Sequence, residues 1–164
     1  MIFGIDLGSD CGYSVFDLST NKLIAYGTLE LNENKHQGGG WRFLTFEILL
    51  NAMIEKYQPK AIGYELVRRH VGTEAAHVYG GLLATLQVAC EKKSIPYTGY
   101  DVKAIKKAFT GNGNAKKDLM TSTANTKYSL NLNLEKDHDA ADAIAIGEQL
   151  VNEIGALNAR ASKI

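Results

Sequence analysis

Hydrophobic and polar residues alternate with a period of two in three short segments at the start of the chain, which predicts three β-strands. The segments cover residues 2–6, 12–17 and 23–31, and turn sequences separate them at residues 7–9 and 20–22. Because short turns join antiparallel neighbours, we predict an antiparallel three-strand meander. The polar residues 32–40 end in three glycines and predict a loop.

Beyond the loop, apolar residues follow the helical period in long segments that alternate with short strands. We predict strands at 61–65 and 96–100, and helices at 41–57, 73–93, 102–109, 116–128 and 137–152. A meander followed by alternating strands and helices implies an α/β fold, with a mixed sheet flanked by helices. We predict a single domain over residues 1–154 and a weakly ordered C-terminal tail at 155–164.

The length and charge of the chain fit one ordinary globular domain. Its 164 residues carry 18 basic and 18 acidic side chains, so a nucleic-acid partner would require locally segregated basic residues. The sequence predicts neither a signal peptide nor an apolar segment of the ~20 residues needed to cross a membrane. Cys11 and Cys90 form no CxxC pair, which predicts two buried, reduced thiols in an intracellular, cytoplasmic protein.

Two acidic residues stand out in the last predicted helix. Asp139 and Asp142 are three residues apart and therefore share one helix face. Small apolar residues surround them, so this helix can approach the sheet closely and hold both carboxylates at the edge of the core. Two like charges held there repel each other unless a cation lies between them, and oxygen ligands favour Mg²⁺ or Mn²⁺.

Two further acids end predicted strands. Asp6 ends the first strand, directly before a glycine turn, and Glu65 ends the fourth. Strand ends face the crevice in which α/β proteins place their ligands, so all four acids converge if these strands are neighbours. Two divalent ions would neutralise four carboxylates, and ions ~3.5–4 Å apart form the clamp used for phosphodiester hydrolysis by water. Each acid alone is also explained as a turn or helix cap.

A basic surface is predicted next to these acids. Five lysines fall in one stretch that contains no acid and encloses a Gly/Asn loop: Lys103, Lys106, Lys107, Lys116 and Lys117. Lysine charges and the exposed amides of a loop suit nucleic-acid phosphates. Arg68 and Arg69 extend the basic surface beside Glu65. A solvated helix face for the lysines, and solubility for the arginines, remain the simpler alternatives.

Four motifs, in this order, resemble the RuvC family of Holliday junction resolvases. The opening Gly4-Ile5-Asp6-Leu7-Gly8-Ser9 and the terminal Asp139-Ala140-Ala141-Asp142-Ala143-Ile144-Ala145 are specific to that family. The strand end at residues 64–65 and the glycine loop and helix at 111–117 are similar in order and spacing. The resemblance covers residues 2–147 and, from the compact, divergent sequence, points to a phage or viral branch.

This resemblance implies an RNase H-like fold and a homodimer that nicks two strands of a four-way junction using Mg²⁺ or Mn²⁺. It makes Asp6, Glu65, Asp139 and Asp142 the catalytic, metal-binding acids, and places Lys106 and Lys117 at DNA-contacting positions. One position departs from the family: Arg68 stands where bacterial members carry an aromatic wedge. A host cytoplasm would be the location if the protein is phage-encoded.

Three other functions remain open from the sequence. A nuclease of the pre-ribosomal RNA type shares the Asp-x-Gly opening, and a non-catalytic junction-binding protein would share the basic surface. An actin-like ATP-binding protein also has such a turn, but it needs two copies of the domain. His138 precedes the acid pair and on helical spacing points away from it, which favours a structural role.

Overall fold

The computed structural model of the protein describes residues 1–31, 39–68 and 72–162. Within these residues, the strands are β1 (Ile2–Asp6), β2 (Asp10–Asp17), β3 (Lys22–Glu30), β4 (Ile62–Leu66) and β5 (Tyr97–Asp101). The helices are α1 (Trp41–Tyr57), α2 (Thr73–Lys93), α3 (Val102–Thr110), α4 (Lys117–Tyr128) and α5 (His138–Ala161).

The five strands form one mixed sheet in the order β3-β2-β1-β4-β5. β1 pairs antiparallel with β2 and β2 with β3, which confirms the predicted meander. β4 pairs parallel with both β1 and β5. The first strand is therefore central, and the C-terminal ends of β1, β4 and β5 lie at the same edge of the sheet.

Helices cover both faces of the sheet and create two apolar cores. On one face α1 and α2 pack against the central strands, and the buried side chains there include Phe46, Leu82 and Leu86. On the other face α3, α4 and α5 enclose a second core that contains Phe109 and Ile144. This arrangement confirms the predicted α/β fold with a mixed sheet flanked by helices.

The observed elements differ from the predicted ones mainly at their ends. α5 continues past the predicted end at residue 152, because no proline or capping sequence follows and Gly155 is accommodated inside the helix. The helix thus extends into the segment predicted as a tail. The predicted loop at residues 32–40 lies largely outside the described residues. Cys11 and Cys90 are both buried and unpaired, as predicted.

Across the described ranges, no helix combines the length and the apolar character required to cross a membrane.

Candidate active site

Asp6 and Glu65 come together because their strands are parallel neighbours. The register of β1 and β4 pairs Ile5 with Tyr64, so the next residue of each strand is one of the two acids. Side chains of residues paired in this way lie on the same side of the sheet, at its C-terminal edge. Both acids are only partly exposed. The strand ends therefore hold two carboxylates side by side.

α5 brings the second acid pair to the same edge. Asp6 is paired with Gly12 across β1 and β2, and a Cβ atom added at Gly12 would overlap the Asp139 carbonyl group. The first turn of α5 consequently rests directly on the strand beside Asp6. The Ser14 hydroxyl donates a hydrogen bond of 2.7 Å to the Ala143 carbonyl and fixes the helix one turn later. Close packing of small residues positions Asp139 and Asp142.

The pKa values of these acids respond to one another. Burial, followed by the charges of Glu65, Asp142 and Asp139, raises the pKa of Asp6 well above its usual value. Burial also raises the pKa of Glu65, with the Asp142 charge as the next cause. The same desolvation raises the pKa of Asp142 and of Asp139. The structure thus collects all four predicted acids in one electrostatic cluster, which we call the acid cluster.

The chemistry of the acid cluster fits a divalent cation. The Asp142 Oδ1 atom is buried without a hydrogen-bond partner among the described residues, which is costly for a carboxylate unless a cation approaches it. All donors are carboxylate oxygens, the ligands that Mg²⁺ and Mn²⁺ prefer. Within the described part of the chain, no three acidic, histidine or cysteine side chains are arranged closely enough to hold one ion.

Two of the predicted lysines face the acid cluster. The Lys106 charge counteracts burial and lowers the pKa of Glu65 and Asp142. Lys117, at the start of α4, has the same effect on the pKa of Asp6, Asp139 and Asp142. Lys106 of α3 and Lys117 of α4 therefore bring positive charge to the acid cluster from the face of the sheet that these two helices cover.

The remaining predicted basic residues lie further out on the surface. Lys103, Lys107 and Lys116 are exposed, and the turn at Gly113 packs over the α3 backbone at Lys103. Arg68 is exposed two residues after the end of β4. Arg69 lies outside the described residues, so its predicted role in binding stays a prediction. The lysines share one side of the sheet edge, whereas Arg68 follows Glu65.

Three residues near the acid cluster had no assigned role in the predicted site. Asp101 ends β5, accepts hydrogen bonds from the Lys103 and Ala104 amides, and raises the pKa of Glu65. The Asp10 charge raises the pKa of Asp139. His138 Nε2 lies 3.3 Å from Asp139 Oδ1, although helical spacing alone predicts that it points away. Asp101 follows the strand-end rule that identified Asp6, so that rule, applied to β5, could have found it.

The repulsion within the acid cluster predicts that Asp142→Asn stabilises the metal-free protein. Raised pKa values mean that the folded state binds protons more tightly than the unfolded state, so stability falls as pH rises above about 4. We expect the variant to melt roughly 2–4 °C higher at pH 7, corresponding to about 1 kcal/mol. Melting with a chelator across pH 4–8 should show this difference shrinking at acidic pH.

Added Mg²⁺ should make the wild type melt at a higher temperature than Asp142→Asn, because it stabilises the wild type more than the variant. Asp17→Asn, at the opposite end of β2, is the matched control and should not raise the melting temperature. A variant that melts at or below the wild type in chelator would contradict the repulsion described here.

Solved structures show which class of fold this is. The Thermus thermophilus RuvC structure in complex with a Holliday junction substrate superposes with a TM-score of 0.75, at 20% identity and 90% coverage of both chains. The yeast mitochondrial Holliday junction resolvase gives a TM-score of 0.60, at 19% identity, covering 92% of this chain and 77% of that one. The fold is RNase H-like, as the sequence predicted.

Sequence comparisons identify the family of the chain, whereas the solved structures identify its fold. The family model for crossover junction endodeoxyribonuclease RuvC matches residues 2–148, and the chain belongs to this family. The Brachyspira hyodysenteriae RuvC protein is 30% identical over 146 residues, covering 87% of this chain and 88% of that protein. The Pseudothermotoga lettingae protein is 32% identical over 151 residues, with 89% and 90% covered. Nucleases of this family depend on a divalent metal ion.

Proposed function

We propose that this chain is a metal-dependent endonuclease that resolves Holliday junctions and also cuts other branched DNA. The observation that carries the proposal is the acid cluster, in which four carboxylates from three separate segments lie near enough at one sheet edge to affect the pKa of Asp6. Membership of the RuvC family supports the reaction class, since the Brachyspira relative is a crossover junction endodeoxyribonuclease. The Thermus relative forms a complex with a Holliday junction substrate.

Asp6, Glu65, Asp139 and Asp142 are proposed to hold two Mg²⁺ or Mn²⁺ ions in each active site. Such ions, when held by these carboxylates, would supply activation of water and stabilisation of the leaving oxygen for phosphodiester hydrolysis. The protein contributes the fixed positions of its oxygens, because strand pairing holds Asp6 and Glu65 and close helix packing holds the other two. The buried, unpartnered Oδ1 of Asp142 supports its place among the ligands.

The basic residues beside the acid cluster are proposed to bind the DNA backbone. The charges of Lys106 and Lys117 lower the pKa of acids in the cluster, so both lysines are near enough to attract a phosphate that binds there. The exposed lysines of α3 and of the loop before α4 extend this surface along the strand: Lys103, Lys107 and Lys116. Arg68 and Arg69 are proposed to contact DNA on the Glu65 side.

A homodimer is proposed because two symmetric nicks in one junction require two active sites related by a two-fold axis. The face of the α1–α2 layer offers an apolar surface for this contact. Leu44 and Ile48 of α1 are 46% and 56% exposed, and Val88 of α2 is 50% exposed. Large apolar side chains with this much exposed surface are the groups that a protein interface would cover.

The cellular location, the domain bounds and the branch of the family are also proposals. We place its action in the cytoplasm, where bacterial or phage DNA is cut, with no membrane partner. A single nuclease domain over residues 1–154 and a weakly ordered tail at 155–164 stay predictions, although α5 continues into that segment. The assignment to a phage or viral branch also stays a prediction.

A substrate panel tests the proposed function directly. Purified protein is incubated with a synthetic immobile four-way junction, a three-way junction, a flap and plain duplex, first with Mg²⁺ and then with Mn²⁺. Paired symmetric nicks in the four-way junction, absent with a chelator, are expected. Equal cutting of every branched form would make the protein a general debranching nuclease. Tight junction binding without cutting in either metal would contradict the catalytic proposal.

Lys117→Ala is expected to weaken junction binding several-fold and to reduce the slope of log K against log salt by about 1. The change removes one cation that faces the acid cluster, and with it one released counterion. Fluorescence anisotropy over a series of salt concentrations measures both quantities. Lys60→Ala is the matched control, because Lys60 is exposed at the opposite end of the sheet. Equal salt slopes for wild type and Lys117→Ala would exclude a phosphate contact.

A further inference from the structure

The hydrogen-bond ladder between β1 and β4 shows which peptide groups would meet if both strands continued. The Phe3 amide donates a hydrogen bond of 3.1 Å to the Ala61 carbonyl. In a parallel ladder, every second residue of one strand donates to a carbonyl of its neighbour and accepts from the amide two residues further along. Moving from residue 3 to 7, and from 61 to 65, Leu7 would donate to the Glu65 carbonyl and accept from the Val67 amide.

β1 leaves the ladder before that point is reached. The strand ends at Asp6, and its register with β4 ends at Ile5 and Tyr64. Residues 7–9 then lead into β2, which lies on the other side of β1 from β4. The two strands therefore separate where they carry Asp6 and Glu65. The peptide groups at the end of β4 need another hydrogen-bond partner on the β1 side.

The Tyr79 hydroxyl of α2 makes both of the hydrogen bonds that Leu7 would make. It donates one of 2.8 Å to the Glu65 carbonyl and accepts one of 3.1 Å from the Val67 amide. A hydroxyl can replace a peptide unit in this way because it is both a donor and an acceptor. Tyr79 is only 8% exposed and belongs to the core on the α1–α2 face, so packing holds its hydroxyl in place.

Separated strands and a fixed Glu65 are both needed at a metal site. Carboxylates that hold two ions ~3.5–4 Å apart require room between them, so Asp6 and Glu65 cannot stay on strands in full contact. Metal-binding side chains must nevertheless be held within about 0.5 Å of their working positions. Pairing with β5 supports β4 on its other side, where Glu65 is in register with Tyr100. The Tyr79 hydroxyl supports Glu65 on the side that β1 has left.

We propose that Tyr79 is a positioning residue of the active site: its hydroxyl replaces one residue of β1 in the ladder and thereby fixes Glu65 for metal binding while the strands separate. The proposal rests on the metal-dependent function proposed above. Apolar spacing in α2 explains the buried ring as part of the core. It does not explain the hydroxyl, because phenylalanine would fill the same space. The hydroxyl is therefore the part of Tyr79 that serves the site.

Tyr79→Phe tests the proposal because it keeps the ring and removes both hydrogen bonds. Tyr97→Phe is the matched control: its hydroxyl donates a hydrogen bond of 2.9 Å to Glu91 Oε1, at the end of β5 that is remote from the acid cluster. Amide hydrogen exchange is first measured by NMR in chelator. The Val67 amide is expected to exchange several-fold faster in Tyr79→Phe and at the wild-type rate in Tyr97→Phe. Unchanged protection in Tyr79→Phe would overturn the proposed replacement of β1.

Metal binding is then measured without DNA, by calorimetric titration with Mn²⁺, and cleavage of a four-way junction is measured in the same metal. We expect Tyr79→Phe to bind Mn²⁺ several-fold more weakly and to show a lower kcat at an unchanged KM for the junction. A purely structural role would lower the melting temperature in chelator and leave the Mn²⁺ affinity and kcat unchanged, which would overturn the proposal. Equal losses in Tyr97→Phe would overturn it as well.

The wild type separates this result from a failure of the proposed function. Mn²⁺ binding and cutting by the wild type, with unchanged values in Tyr79→Phe, would overturn the role of Tyr79 alone. Neither Mn²⁺ binding nor cutting by the wild type would overturn the proposed function, and the positioning role with it.

Discussion

Asp6→Asn is expected to reduce junction cleavage by at least about 10³-fold, which corresponds to roughly 4 kcal/mol of transition-state stabilisation. Asp6 lies at the centre of the acid cluster, and Glu65, Asp142 and Asp139 all raise its pKa. An amide removes one negative charge and one ligand oxygen without changing the side-chain shape. Junction affinity should be retained or should increase, because the substitution also removes repulsion of DNA phosphates.

Single-turnover cleavage of a labelled four-way junction measures the rate, and gel-shift titration in chelator measures the affinity. Asp17→Asn is the matched control, since Asp17 ends β2 at the opposite edge of the sheet and should leave the rate nearly unchanged. Cutting by Asp6→Asn at a rate close to that of the wild type would remove Asp6 from the active site. Loss of binding together with cutting would indicate a structural role instead.

Gly12→Ala is expected to destabilise the protein by about 2–3 kcal/mol and to impair cleavage more than the melting temperature alone explains. The added methyl group would overlap the Asp139 carbonyl and lie 3.2 Å from the Ala143 Cβ. Because the main obstacle is backbone, α5 must move away from the strand. That movement would separate Asp139 from Asp6.

Chemical denaturation gives the change in the free energy of unfolding, and cleavage is assayed at a temperature where both proteins are folded. Gly155→Ala is the matched control: an added methyl group there meets nothing within 4 Å, and alanine favours the helix by roughly 0.5–1 kcal/mol. A fully active Gly12→Ala protein with wild-type stability would show that close packing of α5 does not position the acids.

Periodicity predicted most of the fold because each element carries its own pattern. The alternation in β1 and the apolar spacing in α1 are local signals, and both elements end where predicted. The predicted end of α5 was wrong because residues 152–161 carry neither a clear apolar face nor a stop signal. That part of the helix is exposed apart from the half-buried Ile154.

The four acids of the candidate site were predictable because each follows a simple rule. Asp6 and Glu65 are at strand ends, and Asp139 and Asp142 are three apart in a helix. The proximity of His138 to Asp139, and of Asp10 to the acid cluster, was not predictable. It depends on how the first turn of α5 lies across β2. Such contacts between distant segments carry no local signal in the chain.

The close approach of α5 to the sheet was also only partly predictable from the sequence. Small residues in the helix predicted that it could lie near the sheet. Which strand positions it would touch, Gly12 under Asp139 and Ser14 under Ala143, follows only from the β1–β2 register. The cavity lined by Leu7, Arg42, Val67 and Val78 likewise requires α1, α2 and two strand ends, so nothing in the linear order of its residues predicts it.

Iron-directed backbone cleavage would test most directly whether the four acids form one divalent-metal site. Fe²⁺ replaces Mg²⁺ at oxygen sites and, with ascorbate and peroxide, generates radicals that cut nearby polypeptide. Cuts are expected near residues 6, 65 and 139–142, suppressed by excess Mg²⁺ and lost in Asp142→Asn. Cuts confined to other regions, or a pattern unchanged in Asp142→Asn, would contradict a metal site formed by these acids.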